Sequence, residues 1–122
     1  MDWNFERVAG PLDFTEGPVW MGDHLLFTDI PNSRIMRYDP ATGSCDTFRT
    51  GTNRANGLTL GRDGALLACE GGATSFPGEA DPEALAGRRV VAYTPGEETT
   101  VLADLWDGKR LNSPNDVVED AA

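Results

Sequence analysis

Short apolar runs alternate with turn residues along the chain. The runs HLLFTDI (24–30), SRIMRYD (33–39), ALLACE (65–70) and RRVVAYT (88–94) are rich in Val, Leu, Ile, Phe and Tyr. They are too short for helices, and they are bounded by MGD (21–23), IPNS (30–33), DPATG (39–43), RDG (62–64) and PG (95–96). Gly, Pro, Asn and Asp at such places preset the backbone for tight turns, so the pattern predicts an all-β chain folded as small antiparallel meanders. One segment departs from it. DPEALAG, from Asp81 to Gly87, offers a capping carboxylate, a proline and helix formers, which predicts a single helical turn.

A longer period lies over the short one. From Glu16 the chain reads as apolar strand, turn, apolar strand, turn, Arg-bearing strand ending in tyrosine, Pro-containing turn and final strand. NGLTLGRDGALLACEGG followed by RRVVAYTPGEETTVL repeats this order from Asn56, with Tyr38 and Asp39-Pro40 answered by Tyr93 and Thr94-Pro95. Glu16 and Asn56 stand 40 residues apart, and the register begins again 59 residues later at Asn115, in SPNDVVED. Most of the excess falls in ATSFPGEADPEALAG (73–87), which reads as an inserted surface loop. Four-stranded units at a period near 40 are the mark of a β-propeller, in which each unit is a blade whose first strand lines the central channel.

The expected organisation is one propeller domain with blade 1 at about 16–50, blade 2 at about 56–104 carrying the 73–87 insertion, and the start of blade 3 at about 113–122. A propeller closes with roughly four to eight blades, so the chain is expected to be the N-terminal part of a longer one whose C-terminal blades are missing. A self-contained small β domain is the plainer alternative. Trp3 and Phe5 are expected to form a loosely held outer strand that would complete the last blade of the closed ring.

Equivalent positions of successive blades lie around one axis, so Glu16, Asn56 and Asn115 converge on the channel mouth. One carboxylate and two amides offer the oxygen ligands that a hard cation such as Ca²⁺ prefers. The alternative is that these side chains bond to neighbouring backbone where the strands start. Arg34, Arg37, Arg88 and Arg89 fall on third strands, away from the axis, and read as solvated or paired at the surface. His24, the only histidine, reads as a solvated turn residue. Cys45 and Cys69 are too few and too far apart for a zinc site and read as buried free thiols.

Charge narrows the partners. Ten Lys and Arg against 20 Asp and Glu give a net charge of −10, which disfavours nucleic acid and anionic membranes. No basic segment precedes an apolar run at the N-terminus, and no stretch approaches the roughly 18 apolar residues that span a bilayer. A cytoplasmic protein is the expectation.

Specific strings add to this reading. EGPVW, LLFTDIPNSRIMRYDPATG, NGLTLGRDGALLACEGG, RRVVAY and, above all, TTVLADLWDGKRLNSPNDVVED closely resemble the senescence marker protein, gluconolactonase and luciferin-regenerating enzyme family, in particular its bacterial gluconolactonase branch. The likeness runs from about Phe14 to Asp120, interrupted mainly by the insertion. It implies a six-bladed propeller that holds a divalent cation at the channel mouth and hydrolyses small-molecule lactones of sugar acids. The cation is often Ca²⁺, with Zn²⁺, Mg²⁺ or Mn²⁺ as alternatives. By position, Glu16 of EGP matches the family's metal-binding glutamate. Asn115 of SPND matches an asparagine that binds the metal or the substrate beside it, and Asn56 matches a pocket-lining position.

The other metal ligands, an asparagine and an aspartate, and the general base would lie beyond Ala122, so the chain alone is expected to be inactive. Many relatives carry a histidine after the glutamate of the CE motif. Here Glu70 is followed by Gly71, Gly72 and the insertion, which alters the pocket rim and with it substrate choice. Glu70 is a candidate substrate-binding residue, or else an exposed or backbone-bonded glutamate. Two other functions stay open: a propeller module that binds a ligand without chemistry, and a calcium-binding protein without turnover.

Overall fold

The structure, a computed structural model, describes residues 1–72, 81–96 and 98–121. Strands β1 (Thr15–Trp20), β2 (Leu25–Asp29), β3 (Arg34–Asp39) and β4 (Ser44–Thr50) pair in chain order as one antiparallel sheet. Strands β5 (Ala55–Leu60), β6 (Leu66–Glu70), β7 (Arg89–Tyr93) and β8 (Thr99–Ala103) form a second sheet of the same order. These are the two blades of the propeller fold, and the turn residues account for their meanders. Asp39 closes the β3–β4 turn by accepting from the Ala41 N–H at 2.8 Å, and Gly43 there has φ +74°. Asp63 does the same in the β5–β6 turn by accepting from the Ala65 N–H at 3.0 Å.

The blades pack face to face. Leu26 and Ile35 of the first meet Leu58, Leu66, Ala68, Val91 and Tyr93 of the second, with Val19 and Met21 against them. Strand alternation sends Leu26 and Thr28 toward the second blade, and Leu66, Ala68 and Glu70 back toward the first. The outermost strands, β4 and β8, are largely exposed, as the rim of a blade should be. Arg49 on β4 braces that rim: its guanidinium lies 3.9 Å from the centre of the Tyr93 ring and donates to Thr99 Oγ1 at 2.8 Å.

The expected insertion falls partly outside the described residues, at 73–80. Its second half contains α1 (Pro82–Ala86), where the Asp81 carboxylate accepts from the Glu83 N–H at 2.9 Å and Pro82 stands at the first position. Asn53 Nδ2 ties the helix to the inter-blade link by donating to the Ala84 carbonyl at 3.0 Å.

Three features differ from the sequence reading. Residues 113–121, expected to start a third blade, form no strand among the described residues. Adjacent blades meet face to face rather than through a continuous ladder, and this segment bonds to the second blade by isolated contacts, such as the Gly57 N–H to the Asn115 carbonyl. Residues 1–14 form no strand either, and Trp3 and Phe5 are 75% and 88% exposed. Between the second blade and residue 113 lies an unforeseen hairpin, β9 (Leu105–Trp106) with β10 (Lys109–Arg110). Its turn is Asp107-Gly108, both at positive φ, a dipeptide that favours tight hairpins. No helix among the described residues is long and apolar enough to cross a membrane.

Candidate functional site

The two inner strands start alike, β1 with Thr15-Glu16-Gly17 and β5 with Ala55-Asn56-Gly57. Both ladders slip at this point, between Glu16 and Val19 and between Ala55 and Leu58, as a bulge does when it re-aims side chains. The glycines let the next unit in. A β-carbon on Gly17 would stand 2.4 Å from the Asn56 carbonyl oxygen, and one on Gly57 would stand 2.7 Å from the Asn115 carbonyl oxygen and 2.4 Å from Asp116 Oδ1. The same repeat position therefore makes the same close approach twice. Glu16, Asn56 and Asn115 come to lie on neighbouring backbone segments, with the Asn56 and Asn115 carbonyls turned toward the preceding unit.

Their side chains are unengaged. Glu16 and Asn115 are exposed and Asn56 is half-buried, and among the described residues none of the three side chains makes a hydrogen bond. The alternative in which they bond to backbone at the strand start is not what the structure adopts. One carboxylate and two amide oxygens suit a hard divalent cation, which takes carboxylate, amide and water oxygens in flexible geometry. Among the described residues no three His, Cys, Asp or Glu side chains gather as a metal cluster; the row itself carries one carboxylate, Glu16, and two amides. A cavity of about 510 Å³ lies between residues 7–12 and the outer face of the first blade, with Glu16, Pro18, Leu25, Phe27 and Tyr38 among its walls.

Glu70 is placed differently. Its side chain is 1% exposed and faces the first blade, and both oxygens are occupied: Arg89 Nε donates to Oε2 at 2.5 Å and the Tyr93 hydroxyl donates to Oε1 at 2.5 Å. Burial, and then that hydrogen bond, push the Tyr93 phenol well above its ordinary value. The corresponding place in the first blade is Asp29, since Thr15 pairs with Asp29 as Ala55 pairs with Glu70. Asp29 is fully buried and accepts from Arg34 Nε at 2.9 Å, Arg34 Nη2 at 2.7 Å and Asn32 Nδ2 at 2.9 Å. Its other oxygen accepts from the backbone N–H groups of Asp13 and Phe14, both at 3.3 Å. Burial works to raise the Asp29 carboxyl, but Asn32, Arg34 and the two N–H groups outweigh it and hold it below the usual carboxylate range.

Arg34 and Arg89 are paired rather than solvated, and the reading of them as surface pairs is corrected in one respect: the carboxylate that each neutralises is buried. The signal was in the sequence, as an acid ending the second strand and an arginine starting the third in both repeats. Cys69 is fully buried and Cys45 half-buried, and both are free thiols. Burial, and then the charge of Asp116, push the Cys69 thiol up to about 11, which makes it a poor nucleophile. His24 is partly buried and pairs with the exposed Asp23 carboxylate.

Residues 14–122 match the family described as the SMP-30/Gluconolactonase/LRE-like region. The chain is similar to the gluconolactonase of Zymomonas mobilis, with 28% identity over 126 aligned positions that take in 92% of this chain and 32% of that protein. It is also similar to the pentonolactonase XacC of Haloferax volcanii, 47% identical over 55 positions covering 43% of this chain and 19% of that one. The X-ray structure of a provisionally assigned gluconolactonase matches with a TM-score of 0.73 and 30% identity, over 93% of this chain and 35% of its own. XC5397 of Xanthomonas campestris, a gluconolactonase, shares the fold with a TM-score of 0.71 and 23% identity, over 89% of this chain and 32% of its own. The chain spans about a third of the length of the Zymomonas protein and of both solved structures. By the match over nearly all of its length, the chain belongs to the SMP-30/gluconolactonase/LRE-like family.

Proposed function

We propose that the protein hydrolyses a sugar-acid lactone in the cytoplasm with the help of a divalent cation, Ca²⁺ first, held at the mouth of its propeller. The chain spans about a third of its relatives' length, so the activity is proposed for the whole propeller. The remaining oxygen ligands and the general base are assigned to blades other than these two. The observation that carries the reading is the row of Glu16, Asn56 and Asn115, which brings three unengaged oxygen-bearing side chains to adjacent inner segments.

Glu16 is the anchor for the cation, because it is the one anionic member of the row. Asn115 completes the shell or turns its amide to the substrate. Asn56 lines the substrate side, where its amide can donate to one lactone oxygen and accept from a sugar hydroxyl. When bound, the cation supplies a Lewis acid that polarises the ring carbonyl and stabilises the oxyanion formed as water adds. Glu70 has no part in this reading, since both of its oxygens are held inside the blade.

The test is Glu16→Gln in the whole propeller, with Ca²⁺ binding followed by calorimetry and gluconolactone hydrolysis followed against the spontaneous rate. Both cation affinity and turnover should fall, and retention of both would overturn the assignment. Tight Ca²⁺ binding by the wild type with no turnover of any sugar lactone would favour a calcium-binding module instead. Expressed alone, these 122 residues should not accelerate lactone opening.

A further inference from the structure

The row of strand starts is fastened differently at its two junctions. Between the second blade and residues 113–121, the Asn115 carbonyl accepts from the Gly57 N–H at 2.7 Å. Between the first and second blades the fastening is a side chain. Thr28, fully buried on β2 and directly across the ladder from Glu16, turns its hydroxyl to the Glu16 carbonyl at 3.0 Å and the Asn56 carbonyl at 3.1 Å. A hydroxyl has one proton, so the two carbonyls share it in a three-centre bond. The matching place in the second blade is Cys69, a weak donor that makes no such bond among the described residues.

We propose that Thr28 is a positioning residue that sets the spacing of Glu16 and Asn56. The inference rests on the role given to those two residues above. Two blades touch through packed side chains, which tolerate sliding, rather than through a ladder, which does not. Two carbonyl dipoles aimed into one small buried space also repel each other. The shared proton removes that repulsion and fixes both main chains to a single atom, within a tolerance of about 0.5 Å that a binding constellation requires. Without the hydroxyl, the two carbonyls lose a buried donor and the blades are free to part at the place where the carboxylate and the amide are carried. Loss of an outer partner of this kind lowers metal affinity about 10- to 100-fold.

Three substitutions in the whole propeller test this. Thr28→Ser keeps the hydroxyl, Thr28→Cys installs a weak donor, and Thr28→Val keeps the shape and removes the donor. Ca²⁺ affinity by calorimetry, kcat and KM for gluconolactone, and the unfolding temperature without Ca²⁺ are measured for each. Affinity should follow the order wild type and Thr28→Ser, then Thr28→Cys, then Thr28→Val, with the last at least about tenfold weaker. Ile35→Val, across the β2–β3 ladder from Thr28, is the control: it should lower the unfolding temperature and leave Ca²⁺ affinity alone.

If Thr28→Val does not fold, the comparison of Thr28→Cys with Thr28→Ser decides. The inference fails if the Thr28 variants bind Ca²⁺ like the wild type, if Thr28→Ser loses as much as Thr28→Val, or if affinity merely tracks unfolding temperature through Ile35→Val. A wild type that binds no Ca²⁺ brings down the cation reading and this inference together. A wild type that binds, with indifferent Thr28 variants, brings down this inference alone.

Discussion

Gly17 and the Asn56 carbonyl are packed so closely that no β-carbon fits between them: it would lie 2.4 Å from the oxygen. Gly17 also has φ +53°, where an L side chain is strained. Gly17→Ala should therefore lower the unfolding free energy by about 3 kcal/mol, the left-handed backbone contributing about 1 kcal/mol and the forced separation of the strands the rest. Gly43→Ala separates the two causes, since Gly43 has φ +74° with open space around it, and it should cost only about 1 kcal/mol. Urea unfolding of both variants checks the difference. Equal losses would mean that the close approach of the blades carries no stability.

The buried Asp29 carboxylate ties the segment before β1 to Arg34. Asp29→Asn removes its charge and leaves the guanidinium without its partner, for a loss of about 3 kcal/mol at neutral pH. The Asp29 carboxyl is held below its ordinary value near 3.8, so its contribution is present above that pH and lost as pH falls through the depressed folded value. The gap between wild type and Asp29→Asn should accordingly be widest near pH 7 and narrow in acid. Urea midpoints at a series of pH values from 7 downward read this directly, and a gap that stayed constant would remove the carboxylate from the account.

The strands and their order were legible because each is a local matter: an apolar run, a turn residue and a repeat of both. The close approach at Gly17 and Gly57 was half visible, as a glycine following Glu16 and Asn56, though sequence alone could not say what would fill the space. The buried partners of Arg34 and Arg89 were not legible, for a physical reason. Position on a third strand places a residue far from the axis, but exposure depends on the partner, and Asp29 and Glu70 sit on the neighbouring strand with no solvent to pair with. Thr28 was not visible at all. Its two acceptors come from residues 12 and 28 positions away, and a threonine in an apolar strand looks like any β-branched strand residue. The hairpin at Leu105–Arg110 was missed despite its Asp-Gly turn, because the repeat has no counterpart for it.

Cys69 offers a probe of how residues 113–121 pack on the second blade. Its thiol is fully buried and pushed up to about 11, and the half-buried Cys45 is also raised, by burial and then by Asp46. At pH 8 the native protein should react with iodoacetamide first at Cys45, while Cys69 becomes labelled only at the rate of unfolding. Peptide mass spectrometry over a labelling time course distinguishes the two thiols. Rapid modification of Cys69 in native buffer would show that the face of the second blade turned away from the first, toward Asp116, is open to solvent.

The sequence offered Glu70 as a substrate-binding residue, and its geometry makes an opposite kinetic prediction. A residue that touches the lactone would, on Glu70→Gln, raise KM and leave the unfolding temperature unchanged. A carboxylate clamped between Arg89 and the Tyr93 hydroxyl should do the reverse. Glu70→Gln leaves Arg89 without its charged partner, and Tyr93→Phe removes the donor to Oε1. The second change alone should cost about 1.5–3 kcal/mol, the usual range for a hydrogen bond to a charged group. Both variants should unfold earlier, with KM for gluconolactone and Ca²⁺ affinity within twofold of the wild type in the whole propeller. Because Tyr93 also stacks under Arg49 from the first blade, Tyr93→Phe keeps the ring and isolates the hydroxyl, so its loss reports the Glu70 bond and nothing else. A raised KM in Glu70→Gln, at an unchanged unfolding temperature, would return Glu70 to the pocket.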